Sequence, residues 1–328
     1  MSSVVNQTAL NSFNKNHSNY DAFRPSFPSK VVDPFLASLG LAEKNNLGVF
    51  EFKTEKKILE LAAGTGKFTK NLIENGWAEN VVVVEPSEGM LKSFKVNFPG
   101  VKALPGSSYE IPLQSNSVDS VIAAQAFHWF SDEQSLKEIR RVLKPNGTLG
   151  LIWNADVPSV SQKVNRPFPK IEFLFENVCG DIVIQFEDLI KSKPMSEDKP
   201  LEIFHEFASK HPWAQITGNA MYAYDIQLPQ YRQGNWRQVL CEDHQYFSPI
   251  QRELFLFYNG FIQEDATFKA WSTRSYITAL SEQERKGVEH KFTDLLKSSV
   301  TESDKFVKDG ETYLIKPTLS HAVVLKCK

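Results

Sequence analysis

The most informative stretch of this chain is ELAAGTGKFT at residues 60–69, which joins an apolar run to an amphipathic segment. Gly64 and Gly66 would let the backbone turn tightly and approach a ligand, since neither carries a β-carbon. Free amide groups at the start of the following helix could then hydrogen-bond a carboxylate. The loop is a candidate ligand-binding site, although a glycine pair after a strand also serves plain turns.

An acidic residue, Glu85, ends the next apolar run, 25 positions after Glu60. A carboxylate at the end of that strand could accept hydrogen bonds from both ribose hydroxyls of a nucleoside. The alternative is a solvated glutamate at a strand end. The loop also lacks the third glycine of a dinucleotide fingerprint, because Thr69 stands there. The pattern therefore disfavours NAD and FAD.

Five segments in order resemble the motifs of the type 11 branch of the S-adenosylmethionine-dependent methyltransferases. Along residues 58–154 they read ELAAGTG, VVEP, GSSYEIPL, SVDSVIAAQAFHW and RRVLKPNGTLGLI. The resemblance implies an α/β fold with a doubly wound, mostly parallel sheet, the Rossmann-like methyltransferase fold. It also implies S-adenosylmethionine as the cofactor and a small molecule as the methyl acceptor.

The same resemblance implies which residues contact the cofactor. From the amino-acid end through the ribose to the adenine edge, the main candidates are Glu60, Gly64, Gly66, Glu85, Ser107 and Ser108, and the set is completed by Tyr20, Ala62, Pro86 and Gln125. Two positions depart from the family pattern. Ala62 replaces a loop glycine, which is tolerable if it keeps a negative φ. Ser107 replaces an aspartate and accepts hydrogen bonds more weakly, which predicts a modest cofactor affinity.

The segment AQAFHWF at residues 124–130 more narrowly resembles the trans-aconitate methyltransferases and fungal relatives that act on small carboxylic acids. The N-terminal YDAFRPSFP resembles the same subgroup, whose first helix closes over the cofactor. Tyr20 and Arg24 are therefore candidates for a closing segment, with a surface turn at Pro25 as the alternative.

The choice of acceptor decides which residues are catalytic. A carboxylate acceptor is ionised at pH 7 and needs cations to orient it, for which Arg24 and Arg274 are candidates. A hydroxyl or carbon acceptor needs a base, and His128 is the best-placed titratable group. Solvated arginines and a histidine packed in the pocket wall are the alternatives. No metal site is expected.

These residues must be positioned by alternating strands and helices. Short apolar runs and amphipathic segments between residues 57 and 154 predict five parallel strands. Thr65 is placed to cap a helix that Gly76 ends, and KPNG closes another helix before the strand TLGLIW. Helices are predicted at FLFENVCG, EDLIKS and EQERKGVEHKFTDLLKSS, a strand at ELFLFY, and two strands in ETYLIKPTLSHAVVLKCK.

The pattern predicts three parts: a closing segment and cofactor core over 1–155, a mixed helical cap insertion over 156–265, and a C-terminal helix and strands over 266–328 that complete the sheet. Aromatic residues of the insertion are either cap core or walls of an acceptor pocket; they are Phe168, Phe173, Phe175, Trp213, Tyr222, Tyr224, Tyr231 and Trp236.

Composition narrows the function classes. With 37 basic and 39 acidic residues the chain has no positive excess to attract nucleic acid. Three separated cysteines predict neither a disulfide framework nor a zinc site, and no apolar run is long enough to span a bilayer. We expect a cytoplasmic protein, monomeric or homodimeric, that methylates a small molecule, by O-methylation of a carboxylic acid. The alternatives are a C-methyltransferase acting on a lipid-like or quinone-like ring, an RNA methyltransferase and an inactive cofactor-binding homologue.

Overall fold

The computed structural model describes residue 5 and residues 24–156, 171–175, 207–224, 228–241, 245–250 and 252–328. The helices and strands of these ranges, in chain order, are α1 (Ser29–Ser38), β1 (Ala42–Lys44), β2 (Phe50–Phe52), β3 (Ile58–Leu61), α2 (Thr69–Glu74), β4 (Val81–Glu85), α3 (Glu88–Asn97), β5 (Lys102–Pro105), β6 (Val118–Ala124), α4 (Glu133–Val142), β7 (Leu143–Ala155), β8 (Ile171–Phe175), α5 (Pro212–Tyr222), α6 (Gln238–Cys241), β9 (Arg252–Gln263), α7 (Thr267–Ser272), α8 (Ser275–Thr278), α9 (Glu282–Ser299), β10 (Lys305–Lys308) and β11 (Glu311–Lys326).

The central sheet has the strand order β5-β4-β3-β6-β7-β11-β9-β8, and β10 pairs with β11. Strands β3 to β7 are parallel, whereas β11 runs antiparallel between β7 and β9. The chain reverses its direction of growth between β3 and β6, the switch point at which α/β sheets bind ligands beyond the carboxyl ends of their strands. The predicted doubly wound, mostly parallel sheet is confirmed.

Both faces of the sheet are buried, which explains the continuous apolar runs of its strands. Successive residues of β7 point to opposite faces of the sheet. Leu151 and Trp153 belong to the hydrophobic cluster that includes α4, and Ile152 belongs to the cluster that includes α1. All three are fully buried. The edge where these strands end is thereby held on a rigid, two-sided core.

A third cluster joins α5 and α9 to Leu314 of β11. Trp213 and Met221 of α5 pack with Val288 and Phe292 of α9, and Trp271 of α7 completes the contact. The apolar face of α9 therefore packs against α5 and against the start of β11, the last strand of the sheet. The start of α9 is as predicted, since Ser281 caps it in a reciprocal hydrogen-bond pair with Glu284.

Several predicted elements need correction. The strand containing ELFLFY is β9, which pairs with β11 in the central sheet, so this part of the predicted cap insertion belongs to the sheet. The C-terminal pair of predicted strands is one 16-residue strand, β11. FLFENVCG was expected to be helical, yet residues 173–175 lie in β8; its other residues and EDLIKS lie outside the described ranges.

Two turns also differ from prediction. The helix expected from Gly66 begins at Thr69, so Thr65 lies in the preceding turn rather than at a helix cap, while Gly76 follows the helix end as expected. The KPNG segment lies within β7, where Asn146 has φ +63° and the pairing with β6 shifts register. The extra turn is absorbed as an irregularity of the strand.

Candidate functional site

Two adjoining cavities open at the carboxyl edge of the sheet. The first lies at the ends of β3, β4 and β6. Eight of the predicted cofactor residues line it, and they are Glu60, Ala62, Gly64, Glu85, Pro86, Ser107, Ser108 and Gln125. Gln125 lies at the border of the second cavity. One cavity thus brings together most of the predicted cofactor set.

The loop after β3 is tied to the carboxylate that ends β4. Glu85 Oε2 accepts a hydrogen bond from the Gly64 amide at 2.8 Å, and Oε1 accepts one from the Ser87 amide at 2.8 Å. Glu85 therefore shapes the loop as well as the cavity wall. Each carboxylate oxygen can accept a further hydrogen bond from a ligand in the first cavity, which Glu85 lines.

Glu60 lies below the same loop and is fully buried. The hydroxyl of Thr69 donates to its Oε2 at 2.5 Å, whereas Oε1 has no hydrogen-bond partner among the described residues. Thr69 occupies the position of the third glycine in a dinucleotide loop, and here its hydroxyl binds Glu60. A buried, half-satisfied carboxylate is costly unless a ligand supplies a donor.

Burial sets the ionisation of both carboxyl groups. Desolvation raises the pKa of Glu60 to about 8, against the hydrogen bond from Thr69 and with a further rise from the nearby Glu85. Desolvation also raises the pKa of Glu85 to about 7, against the two amide hydrogen bonds. Perturbed carboxyl groups in a cavity are typical of ligand-binding sites.

Gly66 and Ala62 differ from prediction, whereas Gly64 does not. Gly64 has φ +61°, and a β-carbon there would meet no atom of the described residues within 4 Å, which leaves room for a ligand. Gly66 does not line the cavity: a β-carbon there would lie 2.3 Å from Phe98 Cε2, so this glycine permits packing against α3. Ala62 was expected to keep a negative φ but has φ +56°, in the left-handed region. The resembling family has glycine at this position, and glycine adopts a left-handed φ without the steric cost of a β-carbon.

The far end of the first cavity is formed by the loop after β5. Ser107 Oγ accepts from the Tyr109 amide at 3.2 Å, and Ser108 Oγ accepts from the Ser135 hydroxyl at 2.9 Å. The Tyr109 hydroxyl donates to Asp132, the residue that caps α4, at 2.7 Å. Tyr109, which follows the two predicted serines, also lines the cavity and was not among the predicted residues.

The second cavity lies between the sheet edge and the cluster that joins α5 to α9. Gln125 and Trp129 line both cavities. Gln125 has φ +58° and its side-chain amide donates to the Asn154 carbonyl at 2.7 Å, which fixes it at the border. A group transferred between the cavities would pass these two side chains.

Cations gather around one carboxylate in the second cavity. Arg24, Arg232 and Arg274 line it, and Asp156 is its acidic residue among the described ranges. Asp156 forms ion pairs with Arg274 and, at 2.6 Å, with Lys316 of β11. The Arg274 guanidinium lies 3.8 Å from the Trp271 ring centre, which holds it in place. Burial, with repulsion from Arg274 and Arg24, lowers the pKa of Lys316 to about 7.

His128 also lines the second cavity, on a single helical turn of residues 127–129. Its Nδ1 lies 3.3 Å from the indole nitrogen of Trp153. Burial lowers the pKa of His128 to about 3. The histidine is therefore neutral at physiological pH and a weak base.

Other predicted residues have varied positions. Tyr20 lies outside the described residues, as do Phe168 and Cys179. Of the candidate wall aromatics, Tyr222 and Tyr231 line the second cavity, while Trp213 and Trp236 belong to buried clusters and Tyr224 is exposed. Asp156, Arg232 and Lys316 were missed. No group of three His, Cys, Asp or Glu side chains in the described ranges is placed to hold a metal ion, and no helix there is long and apolar enough to cross a bilayer.

An α/β sheet with an acidic strand end and a glycine loop at its switch point defines a nucleoside-binding domain of the Rossmann-like class. Comparison with known proteins is more specific: residues 59–151 match the family described as methyltransferase domain. That family implies S-adenosylmethionine as the cofactor of this domain.

Curated relatives agree over the same region. An uncharacterized methyltransferase-like protein of Schizosaccharomyces pombe is 40% identical over 151 residues, 46% of this chain and 54% of the relative. An uncharacterized methyltransferase of Mycobacterium bovis is 39% identical over 135 residues, 41% of this chain and 49% of the relative. The chain thus spans about half the length of the curated relatives it matches.

The whole chain has a structural counterpart. A solved structure of a candidate type II methyltransferase from Anaeromyxobacter dehalogenans covers 93% of this chain and 97% of its own, with a TM-score of 0.50 and 17% identity. This likeness concerns the fold, which is the Rossmann-like methyltransferase fold.

The residues of the first cavity fit that cofactor. Oε1 of Glu60, which has no partner among the described residues, suits an ammonium donor, the space at Gly64 suits a closely approaching carboxylate, and Glu85 suits ribose hydroxyls. A ligand of this polarity would relieve the buried Glu60 oxygen.

Proposed function

We propose that this protein is an S-adenosylmethionine-dependent methyltransferase that methylates a carboxylate oxygen of a small acid held in the second cavity. The observation that carries the proposal is the shared border of the two cavities at Gln125 and Trp129. One cavity has the polar groups for the cofactor, and the other has Arg24 and Arg274 for an anion. The resemblance of residues 124–130 to the trans-aconitate methyltransferases supports the same substrate class.

When bound, S-adenosylmethionine supplies a methyl group on a positively charged sulfur that leaves as a neutral thioether. The chain's residues then have a positioning task, since proximity and orientation supply much of the rate of such a displacement. Glu60, Gly64 and Glu85 hold the cofactor. Arg24 and Arg274 orient the acceptor acid, because a guanidinium can bind a carboxylate at two points.

The ionisation of the second cavity favours an acid over a hydroxyl. A carboxylate is already ionised at pH 7, so no proton has to be removed from it. An acceptor hydroxyl would need a general base, and the low pKa of His128 leaves that histidine too weak for the task. The three arginines that line the cavity also favour an anionic acceptor, since a guanidinium matches the geometry of a carboxylate.

The test is methyl transfer from radiolabelled S-adenosylmethionine to small mono- and dicarboxylic acids, each paired with its amide. We expect label in products of the acids alone, released as methanol by mild alkali because it forms an ester. Alkali-stable label, or transfer to the amide, would overturn O-methylation and favour carbon or nitrogen as the acceptor.

Two variants test the proposed role of the arginines. Arg24→Gln and Arg274→Gln should each raise the KM for the acid by roughly tenfold or more, the worth of a charge-assisted hydrogen bond. The dissociation constant for S-adenosylhomocysteine should stay unchanged. Arg285→Gln, on α9 and outside both cavities, is the matched control. An unchanged KM in both cavity variants would refute the arginine clamp.

A further inference from the structure

The wall of the second cavity is backed by a stack of buried aromatic rings. Trp153, fully buried at the end of β7, lies 4.4 Å from the Trp236 ring centre and 5.0 Å from that of Tyr231. His321 of β11 lies against the same stack, with its ring centre 5.9 Å from Trp153. The indole of Trp153 is therefore fixed in orientation from more than one side.

The fixed indole meets His128, which lines the cavity. The Trp153 Nε1–H group can only donate a hydrogen bond, so the His128 Nδ1 atom, 3.3 Å away, must accept. A neutral imidazole that accepts through Nδ1 carries its proton on Nε2. With Nδ1 occupied by the indole, Nε2–H is the polar group that the ring has left for the cavity.

We infer that His128 donates a hydrogen bond from Nε2–H to the anionic methyl acceptor, and that Trp153 is the positioning residue that fixes the required tautomer. This role rests on the proposed function, since it needs an acceptor with a negative oxygen. It replaces the general base that the sequence suggests with a neutral donor, and no proton is transferred.

The surroundings of His128 favour the neutral donor over an imidazolium. A second ring proton on Nδ1 would face the indole N–H, donor against donor, and would leave both unsatisfied. Positive charge is already concentrated in this cavity. The titratable groups that line it with His128 are Arg24, Asp156, Tyr222, Tyr231, Arg232 and Arg274, and Lys316 is bound to Asp156.

The tautomer can be read directly by long-range ¹⁵N–¹H correlation of the histidine rings in the full-length protein. We expect His128 to show an unprotonated Nδ1 and a protonated Nε2 from pH 6 to pH 8. Trp153→Phe should remove the Nδ1 hydrogen bond and give a mixture of tautomers. A protonated Nδ1 in the wild-type protein would overturn the inference.

Steady-state kinetics test the donor role. The cofactor is saturating, and the substrate is an acid from the panel that the wild-type protein methylates. His128→Gln keeps an N–H donor near the position of Nε2 and should retain kcat/KM within a few-fold. His128→Leu should lose roughly ten- to hundred-fold, the worth of a hydrogen bond to a charged group. His290→Gln, on the exposed face of α9, is the matched control and should change nothing.

A pH profile separates a donor from a base. Because the donor never titrates in this range, the ratio of wild-type to His128→Gln activity should be constant from pH 6 to pH 8. Equal losses in His128→Gln and His128→Leu, or a ratio that rises with pH, would refute the donor role. If no acid is methylated at all, the proposed function fails and the donor role with it, while the tautomer is decided by the NMR spectrum alone.

Discussion

Cofactor binding should expel protons from the buried carboxyl pair Glu60 and Glu85. Both groups have raised pKa values because burial disfavours their charged forms, about 8 for Glu60 and about 7 for Glu85. Glu60 Oε1 has no partner among the described residues, so an ammonium group there would stabilise the carboxylate and lower its pKa. The sign follows: the free protein holds the proton at neutral pH and the complex does not.

The magnitude comes from the two pKa values. At pH 7 a group with a pKa of about 8 is roughly 0.9 protonated, and one with a pKa of about 7 is roughly half protonated. If Glu60 alone ionises, roughly 0.9 of a proton leaves for each ligand bound. If Glu85 ionises as well, the release is roughly 1.4 protons.

The assay is isothermal titration with S-adenosylhomocysteine at pH 7 in buffers that differ in ionisation enthalpy. The slope of binding enthalpy against buffer enthalpy gives the number of protons released. Glu60→Gln, which keeps the shape and removes the titration, should reduce the release to roughly half a proton or less. A slope of zero in the wild-type protein, or an equal slope in Glu60→Gln, would refute the reasoning.

Three further predictions concern single positions. Gly66→Ala should lower the free energy of unfolding in urea by about 2–4 kcal/mol, because its β-carbon meets the Phe98 ring and its φ is +93°; a loss under 0.5 kcal/mol would contradict this packing. Ala62→Gly should raise the free energy of unfolding by up to about 1 kcal/mol, since it relieves a left-handed alanine against the greater unfolded-state entropy of glycine; a clear loss would contradict the strain. With cofactor saturating, kcat/KM for the acid should fall as the pH rises through about 7, since Lys316 loses its charge there. Lys316→Met should lower kcat/KM and flatten this step, and an unchanged step would assign it to another group.

The sequence was sufficient for the sheet of the cofactor domain because its signals are local. VVVVE is continuously apolar and β-branched, and it forms β4 over the predicted residues. Ser87 caps α3 and Asp132 caps α4, each accepting from a backbone amide three residues on. A capping side chain at the start of each helix leaves little freedom in where that helix begins.

The second half of the chain resisted prediction because its pairings are long-range. Nothing near residues 252–263 indicates that they pair with β11 rather than with a cap. Lys316 and Asp156 are 160 positions apart, and only the antiparallel addition of β11 beside β7 brings them to 2.6 Å. On the acceptor side, Asp156, Arg232 and Lys316 were missed because they are brought together by such contacts, whereas Arg24, Arg274 and His128 were predicted.

Two residues at the carboxyl edge of the sheet, Ala62 and Gln125, have backbone conformations that normally favour glycine. β3 and β6 are neighbours at the switch point, and the residue just beyond each strand, Ala62 and Gln125, has a left-handed φ although neither is glycine. Each donates its amide to the next strand, Ala62 to Val84 and Gln125 to Ile152, so the sheet bonding holds the turn in place. Strained residues persist where surrounding structure over-determines them, and they concentrate at functional sites. The two left-handed residues therefore lie where the chain leaves β3 and β6 beside the cavities, and they are held by backbone hydrogen bonds that the sequence pattern does not reveal.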